Sequence, residues 1–401
     1  MNKPDIRFSG FNGDWTEKKL GDICEFSKGH GYSKKDLTSE GTPAYLYGQM
    51  YTNYKTSLVT SDIFVQPQSG SVYSTGKEVI LPASGETPED IARATAVLSE
   101  GIILGGDLNI VVPPKDLSQL FLALSISYEK NRNKLAEQAQ GATITHLHNS
   151  DIAKLSIKYP ESAEQKKLGA LFSQIDSLIA STQKEHEKLV ALKKCMLQKM
   201  FPKKGSPVPE IRFKGFTGDW IQQKFGYILE ELTERTTSDQ EDVLLTSAID
   251  GVFLNSEYFS HQRGQSTIGY KKIVKNTLIL SAQNLHLGNA NVNLKFEHGI
   301  ISPAYNCYLL INCVPEFISA WVKRDSTKQF FFDATTVGAS VCRRNVDWNL
   351  LYNQFLQIPT IEEQQKIGSY FQNLDNLISK QSAELEKLKN VKKTLLSKMF
   401  V

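Results

Sequence analysis

Residues 163–201 read AEQKKLGALFSQIDSLIASTQKEHEKLVALKKCMLQKMF, and residues 362–400 read EEQQKIGSYFQNLDNLISKQSAELEKLKNVKKTLLSKMF. Aligned without a gap, the two stretches share 18 identities in 39 positions at an offset of 199 residues. In the first, Leu168, Phe172, Ile175, Ile179, Leu189 and Met196 fall on alternating steps of three and four; in the second, Ile367, Phe371, Leu374, Ile378, Leu385, Leu388 and Leu395 do the same. A period of about 3.5 residues makes an apolar seam that a lone helix cannot bury. Each stretch therefore reads as one long helix, roughly 55–60 Å at about 1.5 Å per residue, packed against its counterpart. The seam breaks at Thr182 and Lys193 in one copy and at Gln381 and Lys392 in the other, which are matching places.

The duplication extends outward. Residues 4–23 (PDIRFSGFNGDWTEKKLGDI) and 209–228 (PEIRFKGFTGDWIQQKFGYI) are identical at 12 of 20 positions, offset by 205. The chain is thus two tandem halves, each a leading segment, a variable region and a long helix. Its expected divisions are 1–160, the helix 161–201, a linker 202–208, then 209–360 and the helix 361–401. Pro202 ends the first helix because proline cannot continue one. Ser162 with Gln165, and Thr360 with Glu363, are spaced to form capping boxes. Trp15 and Trp220, after Gly-Asp turns, read as packing anchors.

Composition narrows the class. A 401-residue chain with 40% hydrophobic and 22% charged residues is ordinary for a folded, soluble protein of two or three domains. No apolar run reaches the roughly 18–20 residues of a membrane span, and the start of the chain has no apolar signal core. Five scattered cysteines without CxxC spacing favour reduced thiols in a cytoplasm. A net charge of +3 permits nucleic-acid binding without demanding it.

The two variable regions carry the rest. Short apolar runs at 79–81, 101–104, 109–112, 243–246, 277–281 and 308–311, with helical spacing at 117–138 and 315–324, read as mixed α/β (α+β) globules. Catalytic motifs are missing or spoiled. The stretch 70–77 resembles a phosphate-binding loop, but five residues separate its glycines and Glu78 stands where magnesium needs a hydroxyl. No HExxH, GxGxxG or amino-methyltransferase Asn/Asp-Pro-Pro motif occurs, and His146 and His148 read as a polar turn. Binding chemistry is richer. Lys28, Tyr32, Lys34, Lys35, Tyr47, Gln49, Tyr51, Asn53 and Lys55 interleave cations, aromatics and amides in the first half. Arg235, Arg263, Gln265, Lys271, Lys272, Gln283, Asn284, Arg343 and Arg344 are the candidates in the second. Cations position a phosphate backbone, and amides and hydroxyls read base edges.

At this point the sequence resembles the specificity subunits of type I restriction–modification systems. The resemblance lies in the duplicated Glu-Gln-x-Lys-Ile/Leu-Gly…Phe…Asp helices (159–179 and 358–378), their Lys-Met-Phe ends, the paired FxGFxGDW segments and the GAT/GAS segments before each helix. It implies two target-recognition domains, each reading half of a bipartite double-stranded DNA target. They would be separated by two long helices paired as an antiparallel coiled coil about a pseudo-twofold internal repeat. Those helices would set the unread gap and dock two modification (methyltransferase) subunits, and a restriction subunit can join. The chain would be no enzyme and hold no metal or cofactor of its own, S-adenosylmethionine residing on the partners. The alternative is a coiled-coil adaptor joining two protein-interaction modules without DNA binding.

Overall fold

A computed structural model describes residues 3–52, 54–139, 144–259, 266–340 and 343–401, with 337–340 and 343 described by backbone alone. The chain divides into two compact units, Met1–Gln183 with Ala383–Val401, and Lys184–Ser382. The long helices are Ser162–Lys199 and Ile361–Met399, so each unit boundary falls inside a helix. Each unit holds the first half of one repeat's helix and the second half of the other's.

The first unit contains two five-stranded sheets. In one, Leu108–Val112 lies between Glu25–Lys28 and Val79–Pro82, and Thr95–Val97 continues the row. In the other, Thr42–Tyr45 pairs antiparallel with Ile63–Val65 and parallel with Glu100–Leu104, whose far edge takes Tyr73–Thr75. The second unit repeats this order with four strands per sheet. Tyr305–Leu310 lies between Leu229–Glu231 and Thr277–Ser281, followed by Ala290–Val292. Leu244–Ala248 pairs antiparallel with Gly251–Leu254 and parallel with His298–Ile301, which takes Lys271–Val274. Two variable regions with no alignable sequence therefore share one topology. The stretch read as a single helix at 117–138 is two, Gln119–Ser127 and Glu129–Gln138, broken at extended Tyr128. Pro315–Val322 and Asp325–Asp333 are their counterparts.

Each unit's core is closed by the end of the other repeat's helix. In the first, Met399 and Phe400 are buried with Trp15, Phe121 and Phe172. Phe400 stacks on Phe121 at 5.3 Å and meets Trp15 edge-on at 6.1 Å and Phe172 at 5.9 Å. In the second, Phe201 meets Phe317 at 5.2 Å, Trp220 at 5.9 Å and Phe371 at 6.1 Å. The backbone follows suit, with Ile6 N–H donating to Lys398 O and Ile211 N–H to Lys199 O, both at 2.9 Å. The helix halves in each unit run antiparallel. Lys392 pairs with Asp176 at 2.5 Å in the first unit, and Lys193 pairs with Asp375 in the second. These partners explain the seam breaks at Lys193 and Lys392, where each lysine meets an aspartate of the opposite helix. Every seam residue named above is buried or half-buried.

The Glu-Gln pair opening each helix ties three segments together. Arg7 donates to both oxygens of Glu164 at 2.7 Å, and Arg212 donates to Glu363 at 2.8 and 2.7 Å. Both carboxylates are buried. Gln165 Oε1 accepts from Ser118 N–H at 2.8 Å, and Gln364 Oε1 accepts from Val314 N–H at 2.9 Å. Their amide nitrogens donate to Pro160 and Pro359 carbonyls. This corrects the capping boxes. Gln165 serves the loop before the inner helix, Glu363 serves Arg212, and only the Thr360 hydroxyl caps, accepting from Glu363 N–H at 3.4 Å. A buried long-range partner outcompetes a local, solvent-exposed bond.

Next along each long helix stands a glycine against the inner helix. A Cβ at Gly368 would lie 2.7 Å from Glu316 Cβ and 2.8 Å from Phe317 N, whereas one at Gly169 would meet only the flexible end of Leu120, at 3.0 Å. Alanine gains about 1 kcal/mol over glycine in a helix, and overpacking against backbone costs about 1–3 kcal/mol. Gly169→Ala is therefore expected to be near neutral, and Gly368→Ala to destabilise the second unit by up to about 2 kcal/mol. Urea unfolding of the two variants checks this, and equal effects would contradict it.

Candidate nucleic-acid interface

In the first unit four loops converge beyond the ends of Thr42–Tyr45 and Val79–Pro82. Tyr51 donates to Ser84 O at 2.6 Å, Thr145–His146 pairs with Ser84–Gly85, and Ala83 N–H donates to Asp107 O at 2.7 Å. Asn149 from the segment before the long helix donates to Ser27 O at 2.8 Å, beside Lys28. Tyr47 and Tyr51 meet edge-on at 6.3 Å, with Tyr47 40% exposed. Gln49 turns inward, its Oε1 accepting from Leu46 N–H at 3.0 Å. His146 and His148 stack at 6.4 Å, and no group of residues suited to a metal occurs among the described residues.

The other first-unit candidates divide. Lys28, Lys34, Lys35 and Lys55 are exposed. Lys34 and Lys35 ride on a single turn whose cap, Ser33, is bonded to Asp36. Tyr32 is structural as well as accessible, with a left-handed backbone (φ 60°) and a hydroxyl that meets Ser71 Oγ at 2.5 Å and accepts from Gln68 N–H at 2.8 Å.

In the second unit the topologically matching loops surround a cavity of about 560 Å³. Its lining includes Ser247, Tyr258, Tyr270, Gln283, Asn284 and Tyr305, all neutral hydroxyl, amide and aromatic groups. Gln283 and Asn284 are exposed at its mouth. The cations expected in this half are placed otherwise. Lys271 is 6% exposed within a strand. Lys272 pairs with Glu234 at 2.9 Å and with Glu241 at 3.0 Å. Ser238 N–H, then Lys272, hold the Glu241 carboxyl down at about 2. Arg344 donates to Thr335 Oγ1 at 2.6 Å and lies 4.0 Å over the Phe332 ring. Arg235 is exposed and donates to Gly269 O at 2.9 Å. Asn53, Arg263 and Gln265 lie outside the described residues, and Arg343 is described by backbone alone.

Two cations that the sequence reading passed over stand beneath these loops. Arg93 donates to Met50 O at 3.1 Å and lies 5.6 Å over both Tyr51 and Tyr54. Lys323 donates to Ile249 O at 2.7 Å and Asn291 Oδ1 at 2.5 Å, and burial pushes its ammonium pKa down to about 8. No periodicity or motif marks either one.

The fold and this shared edge define a duplicated scaffold protein that presents two dissimilar sets of loops from one topology. Residues 12–191 match the family model described as the type I restriction modification DNA specificity domain. The type I restriction enzyme MjaVIII specificity subunit of Methanocaldococcus jannaschii is 23% identical over 421 residues, spanning 96% of this chain and 91% of that protein. The S subunit of a type I restriction–modification system from M. genitalium superposes with a TM-score of 0.61 at 15% identity, over 100% of this chain and 99% of that one. A chain from a structure addressing assembly and conformational transition of a type I system gives 0.52 at 15% identity, over 97% and 98%. The first part of the chain thus matches the type I DNA specificity domain, and over nearly its whole length the chain is similar to named specificity subunits of type I restriction–modification systems. Among the described residues, no helix is long and apolar enough to cross a membrane.

Proposed function

We propose that each unit reads one half of a bipartite duplex target through its converging loops, and that the long helices fix the unread gap and dock two copies of a methyltransferase subunit. One observation carries this reading: two regions that share one strand order present different side chains at the same edge. Scaffold function demands the shared topology, and reading two different half-sites demands the difference. The helices support the partner count. Leu178 and Leu377 occupy the same place in the two repeats and are each 48% exposed; Leu192 and Val391, also matched, are 38% and 41% exposed. An outward apolar residue repeated at one position suits two copies of the same partner. S-adenosylmethionine would be held by that partner, in a cytoplasmic complex that a restriction subunit can join.

A protein-binding adaptor would share the helices but not the DNA dependence. The chain assembled with its methyltransferase subunits is expected to hold a cognate duplex against competitor DNA, with affinity falling steeply as salt rises. Phosphate contacts of about six to ten cations lose roughly 10³–10⁵ in affinity between 50 and 200 mM salt. Filter binding across a salt series measures this. Binding that is salt-insensitive, or no stronger than to random duplex, would favour the adaptor.

A further inference from the structure

We propose that one cation per unit, Arg93 in the first and Lys323 in the second, clamps the loop that follows the parallel-paired strand and borders that unit's reading groups, making each a positioning residue for one half-site only. This rests on the reading of each unit as a half-site reader.

The need for a clamp arises from the sheets. In the second unit the parallel pairing of Leu244–Ala248 with its neighbour stops at Leu245 opposite Ile301. Beyond that point the strands part around the cavity, and side chains take over the work of a ladder. Tyr305 donates to Ser247 O at 3.0 Å, Asn291 to Ala248 O at 2.7 Å and Lys323 to Ile249 O at 2.7 Å. Lys323 also grips Asn291 itself, so the ammonium fixes both the loop and the amide that holds the residue before it. In the first unit the parallel register ends at Tyr45 opposite Leu104. There Arg93 donates to Met50 O, underlies Tyr51 and Tyr54, and is steadied by Asp90 at 2.6 Å. Tyr51 in turn crosses to Ser84 on the facing loop.

The cations come from different elements. Lys323 caps the C-terminus of Pro315–Val322, while the corresponding position in the first unit is Ser127. Arg93 instead follows the short helix Pro88–Ile91. The same task is met from two places in one topology. Burying the Lys323 charge weakens its protonated form, and an apolar side chain would commonly fold at least as well. Holding a loop in place accounts for a half-buried cation where packing alone does not.

The test selects bound sequences from a randomised duplex library, using the full chain with its methyltransferase subunits at fixed salt. Arg93→Met is expected to lower base discrimination about tenfold at positions of one half-site and leave the other unchanged, the loss of roughly one good base contact. Lys323→Met is expected to do the reverse. Arg93→Lys and Lys323→Arg, which keep a donor, are expected to restore part of the loss. Should either Met variant be recovered unfolded by circular dichroism, Asp90→Asn and Asn291→Ser loosen the same clamps more gently and should give the same half-site pattern. Unchanged selection in folded variants, or loss spread over both half-sites, overturns the proposal. A wild-type complex that selects no two-part sequence overturns the half-site reading beneath it.

Discussion

Replacing Phe400 by alanine is expected to destabilise the first unit, although Phe400 belongs to the second repeat. Its ring lies in the first unit's core against Trp15, Phe121 and Phe172. Removing a buried phenylalanine costs about 3–5 kcal/mol, a large share of the roughly 5–15 kcal/mol that holds a domain together. Hydrogen exchange resolves where the loss falls. Amides of residues 79–81 and Leu108–Val112 should lose protection while those of Thr277–Ser281 and Tyr305–Leu310 keep it. Phe201→Ala should give the mirror result, opening the second unit from a residue of the first repeat. Loss of protection confined to the mutated residue's own repeat would contradict the crossed packing.

The second large effect concerns specificity. Exchange of residues 24–158 for the corresponding region of a relative is expected to change one half of the recognised sequence and leave the other intact. At about 1–3 kcal/mol per mismatched base pair, a change of two base pairs shifts the preference between old and new targets roughly a hundredfold or more. The structure adds a condition on the incoming region. It must supply the backbone donor that Ser118 gives Gln165 and the ring that Phe121 gives Phe400. Val314 and Phe317 are the second unit's versions of those contacts, with Gln364 and Phe201. Sequencing of modified sites reads the outcome, and alteration of both halves would refute independent units.

Repeated letters made the scaffold legible. The duplicated helices and the tryptophans stand out in the sequence because the same residues recur at fixed offsets, and the two variable regions because recurrence stops there. What recurrence cannot say is which copy meets which. Trp15 with Phe201 and Trp15 with Phe400 are equally compatible with the pattern, and only the three-dimensional packing chooses the second. Local rules failed where a distant partner was stronger. Gln165 and Glu363 fit a capping spacing, yet bond to Ser118 and Arg212. One helix was read at 117–138 because its apolar spacing runs through Tyr128, whose extended backbone breaks it.

The candidate interface was less legible, for a physical reason. A cation's identity does not reveal whether it faces solvent, a carboxylate or a carbonyl. Lys271 is buried in a strand, Lys272 is held by two glutamates and Arg344 by Thr335. Arg93 and Lys323, with no cluster around them in sequence, stand directly beneath the loops. Gln283 and Asn284 follow a strand end and line the second unit's cavity, where the shared topology gathers its loops.

Whether one chain specifies two half-sites is read most directly by sequencing modified bases in DNA from cells carrying this chain with its methyltransferase subunits. The expected result is a single motif made of two short, different sequences separated by a fixed number of unread base pairs, with modification lost when the chain is deleted. A continuous motif without a gap, or modification that persists unchanged without the chain, would contradict it.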